Sequence, residues 1–181
     1  MGIDLAAKEK KKSGICVINS DNNEEGSYSA IITSVFSDEQ ILEKIKEVKP
    51  DLIAIDAPLS WGEKFRPAEK QMIKDGYRLY PLNIGSMKEL TARGIGLKKR
   101  INLPLVECHP TSSAKALKIV KKPIDAFVKA CEKKFSLKFK NIPKNQHEVD
   151  AVIAALTAKL YVLGMCKIYG DEGEEIILPN Y

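Results

Sequence analysis

Three apolar segments of this sequence each end in an acidic residue. Asp4 closes "GID", Asp56 closes "IAID", and Glu107 closes "LVE". An ionised carboxylate costs several kcal/mol to remove from water unless it is paired or binds a cation. One such acid could cap a turn or a helix, but three at comparable positions predict that the acids share one edge of a sheet.

A fourth acid, Asp150, lies in the first turn of the predicted helix "HEVDAVIAAL". His147 precedes it by three residues and therefore shares its helix face. Glu148 is rotated by roughly 200° from Asp150, and we predict that it forms a variant of the capping box with Asn145 instead. His147 is therefore either a helper of the acids or a surface residue of the first helical turn.

Grouped carboxylates of this kind are typical of sites for hard metal ions. Each carboxylate raises the pKa of its neighbours unless a cation is present, and Mg²⁺ and Mn²⁺ prefer carboxylate and water oxygens. Two such ions about 4 Å apart can activate a water and stabilise the leaving oxygen of a phosphodiester. The pattern therefore suits Mg²⁺ or Mn²⁺, and chemistry on a phosphodiester is one use of such a site.

The elements that would position these acids alternate between strands and helices. Three strands, "MGIDLA", "GICVIN" and "YSAIITSVF", predict an antiparallel meander with turns at "KEKKKS" and "DNNEEGS". Ser37 then opens a helix in a capping box with Gln40, and Pro50 ends it. "DLIAIDA" and "LPLVECHP" predict strands four and five, and "EEIILP" a final edge strand. We therefore expect a mixed α/β fold on a five-stranded sheet with helices on both faces.

The remaining segments are predicted to be helical, within one domain over 1–181. A helical insertion at about 60–103 contains "RPAEKQMIKDGY", with proline at its first position, and "SMKELTARG", stopped by glycine. The segments "SSAKALKIV" and "IDAFVKACEKKF" predict two helices, and "EVDAVIAALTAKLYVLG" a long apolar helix that ends at Gly164.

The charge of the chain is unevenly distributed. Residues 115–144 contain ten lysines against Asp125 and Glu132, a net charge of +8 that exceeds the +5 of the whole chain. This segment suits a polyanionic partner, although a solvated lysine-rich face has the same composition.

Other features bear on the class of protein. No apolar run approaches the ~20 residues of a membrane span, and the first basic cluster follows an apolar segment instead of preceding one, so we expect no signal peptide, no membrane and a cytoplasmic location. The four cysteines are far apart, which favours free thiols over a zinc site.

The order of these motifs resembles domain-of-unknown-function family 429, which is described as predicted nucleases with an RNase H-like fold. The resemblance spans nearly the whole chain. It rests on "GIDLA", "GICVI", "IAIDAPLSW", "FRPAE", "VECHP", "HEVDAVIAALTA" and "GDEGEEIILP". The last helix is also similar to that of RuvC-like Holliday-junction resolvases, in which a histidine or acid lies three residues before an aspartate.

The resemblance implies a metal-dependent nuclease that binds nucleic acid and hydrolyses phosphodiester bonds with two Mg²⁺ or Mn²⁺ ions. It implies that Asp4, Asp56 and Asp150 hold the metal, with His147 or Glu107 assisting. Glu107 departs from the minimal pattern, because the acid at this position of resolvase-like relatives is not a standard ligand. His109 is a weaker candidate than Glu107.

The resemblance also extends to Arg66 and Glu69, which match an Arg-x-x-Glu stretch of the family. These two residues could position substrate or form a surface ion pair at a helix start. The further candidates for substrate binding are Lys115, Lys118 and Lys144. The aromatic residues of the insertion could stack on bases or belong to its core: Trp61, Phe65, Tyr77 and Tyr80.

Two other functions are compatible with the same core. Actin-like and sugar-kinase phosphotransferases wrap phosphates with a glycine-rich turn after the first strand. Here that turn is "LAAKEKKKSG", without a glycine before Gly14, and no Walker-type motif occurs. A non-catalytic module that binds nucleic acid or protein is the second alternative, although such relatives usually lose their acids first. A homodimer is possible with any of these functions, and no residue pattern specifies one.

Overall fold

The computed structural model describes residues 1–20 and 26–181, which contain eight strands and six helices. The strands are β1 (Gly2–Asp4), β2 (Ser13–Ser20), β3 (Tyr28–Val35), β4 (Ile53–Asp56), β5 (Leu105–Cys108), β6 (Leu137–Phe139), β7 (Cys166–Tyr169) and β8 (Ile176–Pro179). The helices are α1 (Asp38–Val48), α2 (Pro67–Lys74), α3 (Met87–Arg100), α4 (Pro110–Ala116), α5 (Ile124–Phe135) and α6 (Gln146–Val162).

The strands form one mixed sheet in the order β6-β3-β2-β1-β4-β5-β8-β7. The pairs β1–β2, β2–β3 and β7–β8 are antiparallel, which confirms the predicted meander, and the other pairs are parallel. The predicted count of five strands was too low, because the sheet also contains β6, β7 and β8, with β6 and β7 as short strands at its edges. The prediction of an edge strand at the C-terminal end was also wrong, since β8 lies between β5 and β7.

Helices cover both faces of the sheet. On β2, the buried Ile15 and Val17 face the cluster that includes α1 and α3, while Cys16 faces the cluster that includes α4, α5 and α6. Helix α6 is buried on almost every side from Val149 to Ala158, as expected for an apolar helix at the centre of a domain. The predicted layers are therefore confirmed.

Several local predictions are also confirmed. Ser37 caps α1, and the reciprocal bonds of a capping box with Gln40 are both present. The four cysteines are free thiols, three of them buried. Most of the predicted turn "DNNEEGS" lies outside the described residues. Among the helices of the described ranges, none combines the length and apolar character that crossing a bilayer requires.

The prediction that a glycine ends helix α3 was wrong. The helix passes through Gly94 and continues to Arg100. A Cβ atom at Gly94 would lie 2.6 Å from the carbonyl oxygen of Pro58. The glycine therefore permits close packing of α3 on the segment that follows β4, while a Cβ at Gly96 would meet no heavy atom within 4 Å.

These two glycines make a matched test of the packing. We expect Gly94→Ala to lower the free energy of unfolding by about 1–3 kcal/mol, because the added methyl group overpacks this contact. Gly96→Ala should raise the same quantity by about 0.5–1 kcal/mol, because alanine favours the helix over glycine. Urea unfolding measures both, and a Gly94→Ala variant as stable as Gly96→Ala would contradict the packing described.

Candidate active site

The pairing of β1 with β4 brings two carboxylates together. The strands are parallel, and Asp4 lies directly opposite Asp56 in their register. The side-chain contact with Asp4 is one of the causes that raise the pKa of Asp56.

The first turn of α6 packs against the same edge of the sheet. Gly14 is the β2 partner of Asp4, and a Cβ atom there would lie 2.3 Å from the carbonyl oxygen of His147. This close approach brings His147 Nδ1 to 2.5 Å from Asp4 Oδ2. Asp150, one turn further along α6, completes the group of acids. The structure thus brings together Asp4, Asp56, Asp150 and His147, four of the residues predicted for the site.

The N-terminal cap of α6 agrees with the prediction in one of its two bonds. Asn145 Oδ1 accepts from the N–H of Glu148. Glu148 Oε2 accepts from the N–H of Lys144 at 2.6 Å, and not from the N–H of Asn145 as predicted. Glu148 Oε1 accepts from the hydroxyl of Ser34. These bonds hold Glu148 away from Asp150 and anchor the start of α6 to β3.

Burial and mutual repulsion control the charges of the acids. Burial raises the pKa of Asp56 well above its usual range, and the charges of Asp4 and Asp150 raise it further. Burial also raises the pKa of Asp150, against the opposing effect of Lys121. The hydrogen bond to Asp4 raises the pKa of His147, so this contact contributes stability below the unfolded pKa of histidine, and the contribution is lost as the pH rises through the folded pKa of His147.

Lys121 is a site residue that sequence reasoning did not single out. Its Nζ donates to Asp150 Oδ1 at 2.8 Å and to the hydroxyl of Thr111 at 3.0 Å. Its charge also opposes the rise in the pKa of Asp56. Lys121 was one of ten similar lysines in residues 115–144, and nothing in their spacing distinguished it.

The chemistry of the three carboxylates fits a hard divalent cation, because such an ion prefers oxygen ligands and would relieve the repulsion that raises the pKa of Asp56 and Asp150. As the side chains lie, however, no three His, Cys, Asp or Glu residues in 1–20 and 26–181 are close enough together to hold a metal ion. Lys121 Nζ lies beside Asp150 and His147 Nδ1 lies beside Asp4 instead.

Glu107 stands apart from this group. Its Oε2 accepts from the N–H of Leu59 at 2.8 Å and from Arg66 Nη1 at 2.9 Å, and its Oε1 accepts from Arg66 Nη2. Burial raises the pKa of Glu107, and Arg66 opposes this rise. Both oxygens are therefore engaged within the protein, which does not support metal contact by Glu107.

Arg66 and Glu69 form the rest of this buried cluster. The exposed fractions of Arg66, Glu69 and Glu107 are 3%, 3% and 6%. Arg66 and Glu69 do form an ion pair at a helix start, as one of the two interpretations predicted, but the pair is buried and not on the surface. Their burial does not support direct contact with substrate. Arg66 also donates to the hydroxyl of Ser60 at 2.8 Å. The cluster ties the start of α2 and the segment after β4 to β5.

The other candidates have different environments. Lys118 and Lys144 are exposed, whereas Lys115 donates to the carbonyl of Gly76 at 2.9 Å and lies over the ring of Tyr77. His109 caps α4 by accepting from the N–H of Ser112. Burial and the charge of Lys121 lower the pKa of His109 to about 4, which suits a neutral cap.

The aromatic residues of segment 60–103 divide into two groups. Trp61 and Tyr80 have exposed fractions of 58% and 75%, so neither belongs to the core. Tyr77 packs edge-to-face on the ring of Tyr169, with the ring centroids 6.4 Å apart. Trp61 is therefore exposed five residues after Asp56, on the segment that the Arg66 cluster holds in place.

Comparisons with solved structures identify the architecture. The complex of Thermus thermophilus RuvC with a Holliday junction matches with a TM-score of 0.55 and 15% identity, over 98% of each chain. A second structure of Thermus thermophilus RuvC matches with the same TM-score and identity, over 90% of this chain and 95% of that one. The chain has an RNase H-like fold. At 15% identity, this similarity concerns the fold alone.

The sequence comparisons found no relatives. No family model matches the chain, and no curated protein does. The resemblance to domain-of-unknown-function family 429 is therefore not confirmed, while the fold that it implied is.

The carboxylate pair leads to a prediction about stability. Because the folded pKa of Asp56 is raised, its ionisation lowers stability as the pH rises from the unfolded pKa near 4 through the folded pKa. We therefore expect Asp56→Asn to raise the free energy of unfolding at pH 7 in EDTA by about 1–3 kcal/mol. Chemical unfolding at several pH values measures this, with the exposed Asp51→Asn as the control. A loss of stability in Asp56→Asn would contradict the proposed repulsion.

The buried cluster leads to a second prediction. Arg66→Met should lower the free energy of unfolding by about 3–5 kcal/mol, because it leaves two carboxylates buried without a cation. Arg100→Met breaks the exposed pair with Glu39 and should cost less than about 1 kcal/mol. Adding Glu69→Gln and Glu107→Gln to Arg66→Met should recover part of the loss. Equal costs for the two single variants in urea unfolding would refute the role assigned to Arg66.

Proposed function

We propose that this protein is a metal-dependent nuclease that hydrolyses phosphodiester bonds of nucleic acid. The observation that carries the proposal is the convergence of Asp4, Asp56 and Asp150 from β1, β4 and α6 at one edge of the sheet. Asp56 and Asp150 face the same edge as Asp4 although burial and the charges of neighbouring acids raise their pKa values, an arrangement that costs stability and fits a cation-binding role. The RNase H-like fold agrees with this proposal.

The residues of the site would have distinct roles. Asp4, Asp56 and Asp150 would bind Mg²⁺ or Mn²⁺, and two such ions would activate a water and stabilise the leaving oxygen of a phosphodiester. His147 orients Asp4 through its Nδ1 atom. Lys121, whose ammonium group lies beside Asp150, could donate to a non-bridging oxygen of the phosphate.

The position of each acid in the fold supports this assignment. Asp4 and Asp56 lie on β1 and β4, next to each other at the centre of the sheet, so their backbones are fixed on both sides. Asp150 lies on the buried helix α6. A site built on such rigid elements keeps its geometry better than one built on loops.

The proposal predicts a loss of cleavage without a loss of folding. Asp4→Asn, Asp56→Asn and Asp150→Asn should each reduce Mn²⁺-dependent cleavage of a labelled DNA and RNA panel by at least about a hundredfold, because each removes a charged ligand of the metal site. Gel electrophoresis measures the products, and circular dichroism confirms the fold. Asp51→Asn, an exposed acid that precedes β4, should cleave as the wild type does.

Two outcomes would contradict the proposal. Cleavage retained in all three variants would show that the activity does not depend on these acids. Salt-sensitive binding of nucleic acid by the wild type without any hydrolysis in Mg²⁺ or Mn²⁺ would favour the alternative of a non-catalytic binding module.

A further inference from the structure

The turn between β1 and β2 concentrates positive charge beside the acidic site. Residues 8–12, "KEKKK", contain four lysines and one glutamate, a net charge of +3. All five residues are exposed. We call these residues the basic turn.

The basic turn lies at the same edge of the sheet as the acids. It begins four residues after Asp4 and ends just before Ser13 and Gly14, and Gly14 pairs with Asp4. The charge of Lys11 also opposes the rise in the pKa of His147, which contacts Asp4. The positive charge of the turn therefore acts on the site itself.

The protein anchors the base of this turn with buried hydrogen bonds. The N–H of Ala6 donates to the hydroxyl of Ser13 at 3.1 Å, and Arg93 Nη1 donates to the carbonyl of Ala6 at 2.7 Å. Arg93 also donates to Asp38 and to the carbonyl of Phe36, which ties the base of the turn to α1 and α3. The lysines are thus presented from a fixed base.

Most lysines of the basic turn form no ion pair with the residues that the structure describes. Lys8 pairs with Glu89 at 3.0 Å, and both side chains are half exposed. In the part of the chain that the structure describes, Lys10, Lys11 and Lys12 form no ion pair. Their charge is therefore available to an external anion.

The lysine-rich segment at 115–144 is more heavily engaged. Lys121 pairs with Asp150, Lys115 donates to Gly76, and Lys134 donates to the carbonyl of Leu117. The composition of that segment therefore overstates the charge that it can offer to a ligand.

We propose that the basic turn, through Lys10, Lys11 and Lys12, binds the phosphate backbone of nucleic acid beside the acidic site. This inference deepens the proposed function, because it assigns the surface that would hold the substrate. Lysines that contact phosphates supply affinity without sequence preference, and each contact adds to the salt dependence of binding. The turn also offsets the negative charge of the site, which would otherwise repel a polyanion.

Two triple variants with the same change in net charge test the proposal. The first is Lys10→Gln/Lys11→Gln/Lys12→Gln, and the second is the control Lys129→Gln/Lys133→Gln/Lys140→Gln. The control residues are exposed lysines of segment 115–144. Fluorescence anisotropy with labelled DNA and RNA duplexes in EDTA measures binding without cleavage, and thermal unfolding confirms that both variants fold.

We expect the turn variant to bind at least about tenfold more weakly than the wild type at 0.1 M salt, with a salt slope reduced by about 2–3. The control should stay within about threefold of the wild type. Replacing the same three turn lysines by arginine should preserve binding, because the positive charges remain.

Four outcomes would overturn the inference. These are wild-type affinity in the turn variant, equal losses in the two triple variants, no binding of nucleic acid by the wild type, and turn-dependent binding of heparin without binding of DNA or RNA. The test separates this inference from the nuclease proposal. Turn-dependent binding without cleavage in Mn²⁺ would support the inference and contradict the proposed hydrolysis. Undiminished binding and cleavage by the turn variant would contradict the inference and leave the proposed hydrolysis in place.

Discussion

The contact between Asp4 and Asp56 is the constraint on which the rest of the site depends. Parallel pairing of β1 and β4 places the two residues opposite each other, so their backbones cannot separate without breaking the centre of the sheet. The surrounding elements compensate for this repulsion. His147 pairs with Asp4, and Lys121, from the segment after α4, pairs with Asp150. Gly14 permits the close approach of α6 that makes the first of these contacts possible.

Glu107 and Asp56 lie on neighbouring strands but have different hydrogen-bond partners. Glu107 on β5 is buried and bound by the guanidinium of Arg66 and by the N–H of Leu59, so its hydrogen-bonding capacity is used within the protein. Asp56 on β4 faces two other carboxylates, and the nearest ammonium group pairs with Asp150 and not with Asp56. The charge of Glu107 is paired, and its contacts hold the segment after β4 in place. The carboxylates around Asp56 are not fully compensated by positive charge at the edge of the sheet.

Some basic residues of the protein pair with buried groups, and others are exposed to solvent. The composition alone does not distinguish the two sets. Arg66 and Arg93 are buried, and each joins segments that are distant in sequence. Lys121 compensates an acid of the site. The lysines of the basic turn are exposed at the same edge. An acidic site with a basic border can attract a polyanion that the acids alone would repel.

Elements with local signals could be predicted from the amino-acid sequence alone. Apolar segments bounded by polar turns defined β1 to β3, the capping pattern defined the start of α1, and the apolar run defined α6. The acids Asp4, Asp56 and Asp150 were predictable as a group because each has a distinctive position at the end of a strand or the start of a helix. These signals need only a few neighbouring residues, so they can be read without the fold.

The contacts between distant side chains could not be predicted without the fold. Arg66 and Glu107 are 41 residues apart in the sequence, and Lys121 and Asp150 are 29 apart, so no local pattern links them. The short edge strands β6 and β7 exist because neighbouring strands offer them partners, and α3 continues past Gly94 because that glycine packs against the backbone at Pro58. Pairing, register and close approach depend on residues far apart in the chain, and for this reason they required the folded molecule.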